Sequence, residues 1–164
     1  MTTKLFDRQV ALYATYHRDW RNRATHMIGI PAIVFSLLVL AAVWRVSASS
    51  IDLSAAWIVA ALAGLGWLAL DAAVGMAMIA ALVPMVFAAN WIAATFGQAA
   101  CWIVAAVFFV GGWVFQIIGH VFEGRRPALL DNLFQAFIGP MFIMAELLEL
   151  IGLRRRHPRQ APAA

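Results

Sequence analysis

Apolar residues gather into five long stretches, 27–44, 53–70, 72–96, 99–118 and 133–151, with short polar or glycine-bearing breaks between them. Each approaches the roughly 20 residues that a helix needs to cross a bilayer, so the pattern predicts a bundle of apolar helices. Ahead of them, 5–23 reads as an amphipathic helix in which Phe6, Val10, Tyr13 and His17 share a face at three- and four-residue spacing. That helix is expected along the bundle or among lipid headgroups. The fifth stretch is different. Gly139-Pro140 interrupts it, Pro140 lacks a backbone donor and clashes with the preceding turn, and Gln135, Glu146 and Glu149 would face hydrocarbon on an isolated span. A re-entrant or interfacial pair of helices is expected there.

Charge decides how many stretches cross. Lys4, Arg8, Arg18, Arg21 and Arg23 precede the first, while Arg154, Arg155, Arg156 and Arg159 follow the last. Both ends are therefore expected on the cytoplasmic side, which requires an even number of crossings and leaves the fifth stretch as the one that does not span. Four crossings also put Arg125 and Arg126 on the cytoplasmic side and leave only Arg45 and Asp52 in the first outer connection and no charge around Gly97-Gln98 in the second. Asp71 marks a tight inner turn. The expected fold is all-α: an integral membrane bundle of four helices with an N-terminal amphipathic helix, forming one domain over 1–153 before a basic tail, 154–164, whose Pro/Ala-rich end lacks a hydrophobic pattern.

Composition agrees with that solvent: 64% of residues are hydrophobic and 12% charged, with a mean hydropathy of +0.84, a chain that water would not dissolve as a globule. The net charge of +4 resides at the edges of apolar stretches, so it indicates membrane topology and not a nucleic-acid partner. No cleavable leader is expected, and a bacterial inner membrane fits the usage. The single Cys101 excludes an internal disulfide and every site built on several thiolates. Gly64, Gly66, Gly75, Gly111 and Gly112 are expected to let helices approach closely.

The polar residues carry the chemistry. Gln116, His120 and Glu123 stand at i, i+4 and i+7 where the fourth stretch ends, and His17 and His26 flank the start of the first. On the four-crossing topology all of these meet at one membrane face. Imidazole suits Zn, Cu, Fe and Ni, and two or three histidines with a carboxylate and open positions is the arrangement of non-haem Fe(II) enzymes that activate oxygen. Neutral ligating histidines also need outer partners, which Gln116, Asn22 or Glu123 would supply. On one unbroken helix His17 and His26 point to opposite sides at about 100° per residue. Either the chain breaks between Asn22 and Thr25, or one of the two is not a ligand. Glu146 and Glu149 would complete a metal shell or pair with arginines. Arg125 and Arg126 would hold a lipid phosphate or a fatty acid carboxylate, or merely anchor the chain. Asp71 and Asn90 read as packing hydrogen bonds, and His157 as a solvent-exposed residue of the tail.

Tyr16-His17, Asn22, the block His26-Met27-Ile28-Gly29-Ile30-Pro31, the block Gln116-Ile117-Ile118-Gly119-His120-Val121-Phe122-Glu123, Pro127-Ala128-Leu129, and the later Pro140 and Glu146 together carry a resemblance over nearly the whole chain. The pattern resembles the 2-hydroxy fatty acid dioxygenase family. That resemblance implies an Fe(II)-dependent enzyme of fatty acid α-oxidation that uses dioxygen to shorten a 2-hydroxy fatty acid by one carbon. It implies His17, His26 and His120 as iron ligands, and Glu123 and Glu146 as further members of the site beside the catalytic His120; beside that resemblance, Arg125, Arg126, Asn22 and Gln116 are expected around the substrate from their own chemistry. The partners would then be the 2-hydroxy fatty acid, dioxygen and membrane lipids. Two other classes stand beside this one: a haem-binding electron-transfer protein, and a non-catalytic lipid-binding protein.

Overall fold

A computed structural model describes residues 4–48, 51–127 and 132–154. The elements run α1 (Lys4–Thr15), α2 (Trp20–Val43), β1 (Arg45–Ala48), β2 (Ile51–Ser54), α3 (Ala55–Leu70), α4 (Ala72–Glu123) and α5 (Phe134–Leu150). Helix dominates, as the apolar pattern requires. Positions 155–164, Ala128 and Leu129 lie outside the described residues, and with them most of the expected tail, including His157.

α1 buries the face anticipated for it, with Phe6 and Tyr13 inside, but it ends at Thr15 and does not reach Arg23. The break between α1 and α2 comes before Trp20, not between Asn22 and Thr25, because Asp19 caps the new helix. Its backbone is extended and its carboxylate accepts from the Arg21 amide at 2.8 Å, the bond that starts a helix. His17 sits in the connection, outside both helices, so helical facing no longer separates it from His26.

After α2 comes a two-stranded antiparallel ribbon that the apolar pattern does not reveal. Val46 stands opposite Leu53 and Arg45 opposite Ser54, and the Arg45 guanidinium grips Asp52 at 2.6 Å. α3 then runs to Asp71, which closes one helix and opens the next: its amide reaches the Trp67 carbonyl at 3.0 Å, and its carboxylate accepts from Val74 at 2.8 Å. Arg154 pairs with the same buried carboxylate at 3.2 Å, bringing the last described residue back onto the bundle.

α4 is two arms in one hydrogen-bonded run. At Gly97 the backbone adopts φ +76° and ψ −177°, a region open to glycine and closed to nearly every other residue. The arm 72–96 packs along α3, with Trp57 against Phe87 at 5.0 Å between ring centroids and Gly75 against the Leu68 backbone. The arm 98–123 packs along α2, with Phe35 against Phe108 at 5.1 Å and Trp44 against Trp102 at 6.1 Å. In each pair the residue numbers rise on one helix as they fall on the other, so neighbours run antiparallel. Gly29 and Gly112 let the α2 and α4 backbones nearly touch, since a Cβ on Gly112 would stand 2.8 Å from the Gly29 carbonyl oxygen. The expected role of Gly111 is not met: nothing lies within 4 Å of its would-be Cβ.

α5 is one unbroken helix with Pro140 inside it, where a broken pair was expected. Its Ile138, Gly139, Pro140 and Met141 are buried, and Trp67 donates its indole N–H to the Phe137 carbonyl at 3.0 Å. Packing around the proline thus holds the turn that would fray on an isolated helix. Among the described residues two helices, Trp20–Val43 and Ala72–Glu123, are long and apolar enough to cross a membrane, and the apolar α3 is shorter, at 16 residues. Outside the core of Val39, Val74, Val86, Cys101 and Ile138, large apolar side chains such as Leu62, Leu65, Ile103 and Val107 are more exposed than buried.

Candidate metal centre

Where α1 gives way to α2 and where α4 ends, three imidazoles converge. His17, His26 and His120 are all buried, and one ring nitrogen from each lies within 4.8 Å of the other two. Gly119 makes this possible: a Cβ there would run into Thr25 Oγ1 and Asn22 Oδ1 on α2, so only a bare backbone lets the end of α4 come beside His26.

The hydrogen bonds fix which nitrogens carry protons. His17 Nδ1 lies 2.8 Å from the Tyr13 carbonyl and His26 Nδ1 2.9 Å from the Asn22 carbonyl. A carbonyl only accepts, so both Nδ1 atoms are N–H donors and both Nε2 atoms carry lone pairs. Those two lone pairs face each other at 3.1 Å. Two bare imidazole nitrogens repel at that distance unless a proton or a cation stands between them. Two nitrogens bound at about 2.0–2.1 Å to one ion stand about 3 to 3.4 Å apart, so the separation fits a shared metal. His120 adds a third imidazole whose buried Nδ1 has no hydrogen-bond partner. The donor set therefore fits a metal with nitrogen ligands and open positions. His17 also keeps its lone pair available at neutral pH: burial lowers its pKa to about 4, against the opposing pull of the Tyr13 carbonyl.

Of the other sequence-predicted residues, Asn22, Glu123 and Gln116 adjoin this centre. Glu123 accepts from the backbone amides of Arg18 and Asp19 at 2.9 Å each and from Asn22 Nδ2 at 3.1 Å, which fastens the α1–α2 connection to the end of α4. Asn22 contributes its carbonyl to His26 and its amide to Glu123 and the Tyr16 carbonyl. Glu146 pairs with Arg23 at 2.8 Å, a partner the sequence did not suggest. Arg125 donates to the Thr15 carbonyl at 3.2 Å, and both Arg125 and Arg126 are exposed. Gln116 is buried with its Nε2 unpartnered. Sequence reasoning missed Tyr13, whose ring stacks on His17 with centroids 4.0 Å apart and whose phenol is held protonated by burial, then by nearby Glu146. The signal was present: Tyr13 precedes His17 by four positions as Asn22 precedes His26, the spacing at which a carbonyl meets a side chain one turn on. It also missed Arg23 and Gln135.

A cavity of about 180 Å³ opens from the three histidines. Tyr13, Gln116 and Gln135 line it together with the imidazoles, and Ile30, Ile33, Val34, Leu37, Trp113 and Pro140 make the rest apolar. A polar end and an apolar length suit a molecule with a polar head and a hydrocarbon tail.

Residues 3–151 match the family model described as 2-hydroxy-palmitic acid dioxygenase Mpo1-like. The chain is 32% identical over 155 residues to the 2-hydroxy-palmitic acid dioxygenase MPO1 of Saccharomyces cerevisiae, an alignment that covers 90% of this chain and 82% of the relative. No solved structure matches it. With the family model spanning all five helices and all three histidines, the chain belongs to the 2-hydroxy-palmitic acid dioxygenase Mpo1-like family.

Proposed function

We propose that this protein is an Fe(II)-dependent membrane dioxygenase that cleaves the C1–C2 bond of a 2-hydroxy fatty acid and releases the acid one carbon shorter. One observation carries the reading: two histidine lone pairs held face to face at 3.1 Å, with a third buried imidazole beside them, at the polar end of an apolar cavity. The overall change balances as R–CH(OH)–COOH + O₂ → R–COOH + CO₂ + H₂O, a four-electron oxidation in which dioxygen is the sole oxidant. Bound at the three imidazoles, Fe(II) would supply the electrons that let ground-state dioxygen react and a Lewis-acid grip on the hydroxy acid.

The chain's own residues do the rest. The Tyr13 and Asn22 carbonyls hold His17 and His26 in one tautomer with Nε2 inward. Glu123 locks the α1–α2 connection against α4, so His17 cannot swing away from His120. Ile30, Ile33, Val34 and Leu37 offer the acyl chain a path along α2, and the small cavity leaves the tail's far end to continue outside it. Arg125 and Arg126 steady an anionic head on its approach.

The same reading places four crossings in the membrane, through α2, α3 and the two arms of α4, with α1 and α5 along the inner face and both termini cytoplasmic, as in a bacterial inner membrane. Large apolar side chains turned outward on these helices support it. The His17–His26 separation of 3.1 Å disfavours a haem held between that pair of imidazoles.

The test is metal analysis of the purified protein, then anaerobic reconstitution with Fe(II) and exposure to oxygen with 2-hydroxypalmitate. The expected product is the saturated acid one carbon shorter, formed only with both iron and oxygen. Absence of that product from iron-loaded protein would overturn the proposal.

A further inference from the structure

Two amide side chains in the cavity are left with unspent hydrogen-bonding capacity. Gln135, on the first turn of α5, is 1% exposed, and its Nε2 donates to Gln9 Oε1 on α1, which fixes the group and aims its Oε1 away from that bond. That Oε1 has no partner. Gln116, on α4, is 7% exposed with an unpartnered Nε2, lodged where Gly29 has no side chain: a Cβ on Gly29 would stand 2.7 Å from it. Both residues line the same cavity as the three histidines. Buried polar atoms are nearly always satisfied, so an orphan acceptor and an orphan donor on different helices around one cavity point to a ligand that carries the complementary pair.

We infer that Gln135 is the residue that selects the 2-hydroxyl group: its Oε1 accepts the hydroxyl hydrogen, while Gln116 Nε2 donates to the adjoining carboxylate. This rests on the reading of the cavity as a 2-hydroxy fatty acid site and goes beyond it by assigning the discrimination against ordinary fatty acids to one side chain. An unsubstituted fatty acid satisfies Gln116 and leaves Gln135 Oε1 buried and bare, and a site built to bond a hydroxyl rejects the analogue that lacks it. Gly139 keeps room beside the head, since a Cβ there would stand 3.0 Å from the Tyr13 hydroxyl. No metal is needed for this preference, which separates it from chelation.

Binding to metal-free full-length protein in detergent, followed by tryptophan fluorescence because Trp113 lines the cavity, tests the inference without turnover. Wild type is expected to bind 2-hydroxypalmitate on the order of tenfold more tightly than palmitate, the worth of one net hydrogen bond, and 2-fluoropalmitate, which has no donor, no better than palmitate. Gln135→Met brings the hydroxy preference to within twofold. Gln135→Glu keeps an acceptor, so it weakens both acids by charge repulsion but preserves their ratio. An unchanged ratio in Gln135→Met overturns the inference, as does its loss in Gln135→Glu. If a variant does not fold, the wild-type series still decides: 2-fluoropalmitate binding as well as 2-hydroxypalmitate, or no preference at all, overturns it. The catalytic reading fails by a different result, the absence of shortened acid from iron-loaded wild type.

Discussion

His17 and His26 each spend Nδ1 on a carbonyl four positions back and keep Nε2 for the candidate centre, so on the proposed reading the loss of any one imidazole removes one of three candidate ligands. Losing an outer partner of a ligating histidine costs about 10- to 100-fold in metal affinity. His120→Ala should therefore lower iron affinity by at least about 100-fold and abolish product formation, measured as metal stoichiometry and turnover. Acid acts on His17. His17 titrates near 4 when folded, against 6.5 for a free imidazole, so between those values the unfolded chain binds a proton that the folded chain refuses. Stability of the metal-free protein is thus full above about pH 6.5 and declines as pH falls towards 4; urea midpoints across that range should fall, and less steeply in His17→Asn. Glu123→Ala releases two backbone amides and Asn22 at once. About 2 kcal/mol of stability should be lost with these charge-assisted bonds, read as a lowered unfolding midpoint with weakened iron retention. The sequence made His120 and Glu123 visible by their helical spacing, but it could not distinguish a ligand from a fastening. That distinction depends on which amides the α1–α2 connection turns inward.

At the scale of elements, the seam between α2 and the second arm of α4 is set by absent side chains. Gly119→Ala drives a methyl group into Thr25 and Asn22, which parts the helices that carry His26 and His120. Overpacking of this kind costs about 1–3 kcal/mol, and the variant should melt earlier and lose metal. Gly111→Ala is the contrast, since open space surrounds it: it should leave metal binding intact and raise stability slightly, by about 0.5–1 kcal/mol, as alanine does in a helix. Apolar runs made the helices legible because burial and lipid both favour unbroken hydrophobic length. The β1–β2 ribbon was not legible, because its evidence is a cross-strand pairing of Val46 with Leu53 that a linear pattern scan does not see. Pro140 misled for a related reason: its helix is held by Trp67 and by buried neighbours distant in sequence.

The whole molecule is a set of antiparallel apolar helices with the candidate centre at one end and the ribbon at the other. Four crossings make a clear expectation for labelling. In a background of Cys101→Ala, cysteines placed at Ser47 or Gln98 should react with an impermeant reagent from outside intact cells, and one at Arg126 only after the cells are opened. Labelling at Arg126 from outside would refute the topology. Basic residues at both ends make that expectation readable along the linear chain, whereas the meeting of residues 17, 26 and 120 requires the bundle to close. The order of synthesis gives this closure a further meaning. His17 and His26 leave the ribosome early, but His120 follows only after α3 and nearly all of α4 have been made. A nascent chain therefore holds a pair of imidazoles and not a trio, and the candidate centre closes only once the last arm has folded back from Gly97.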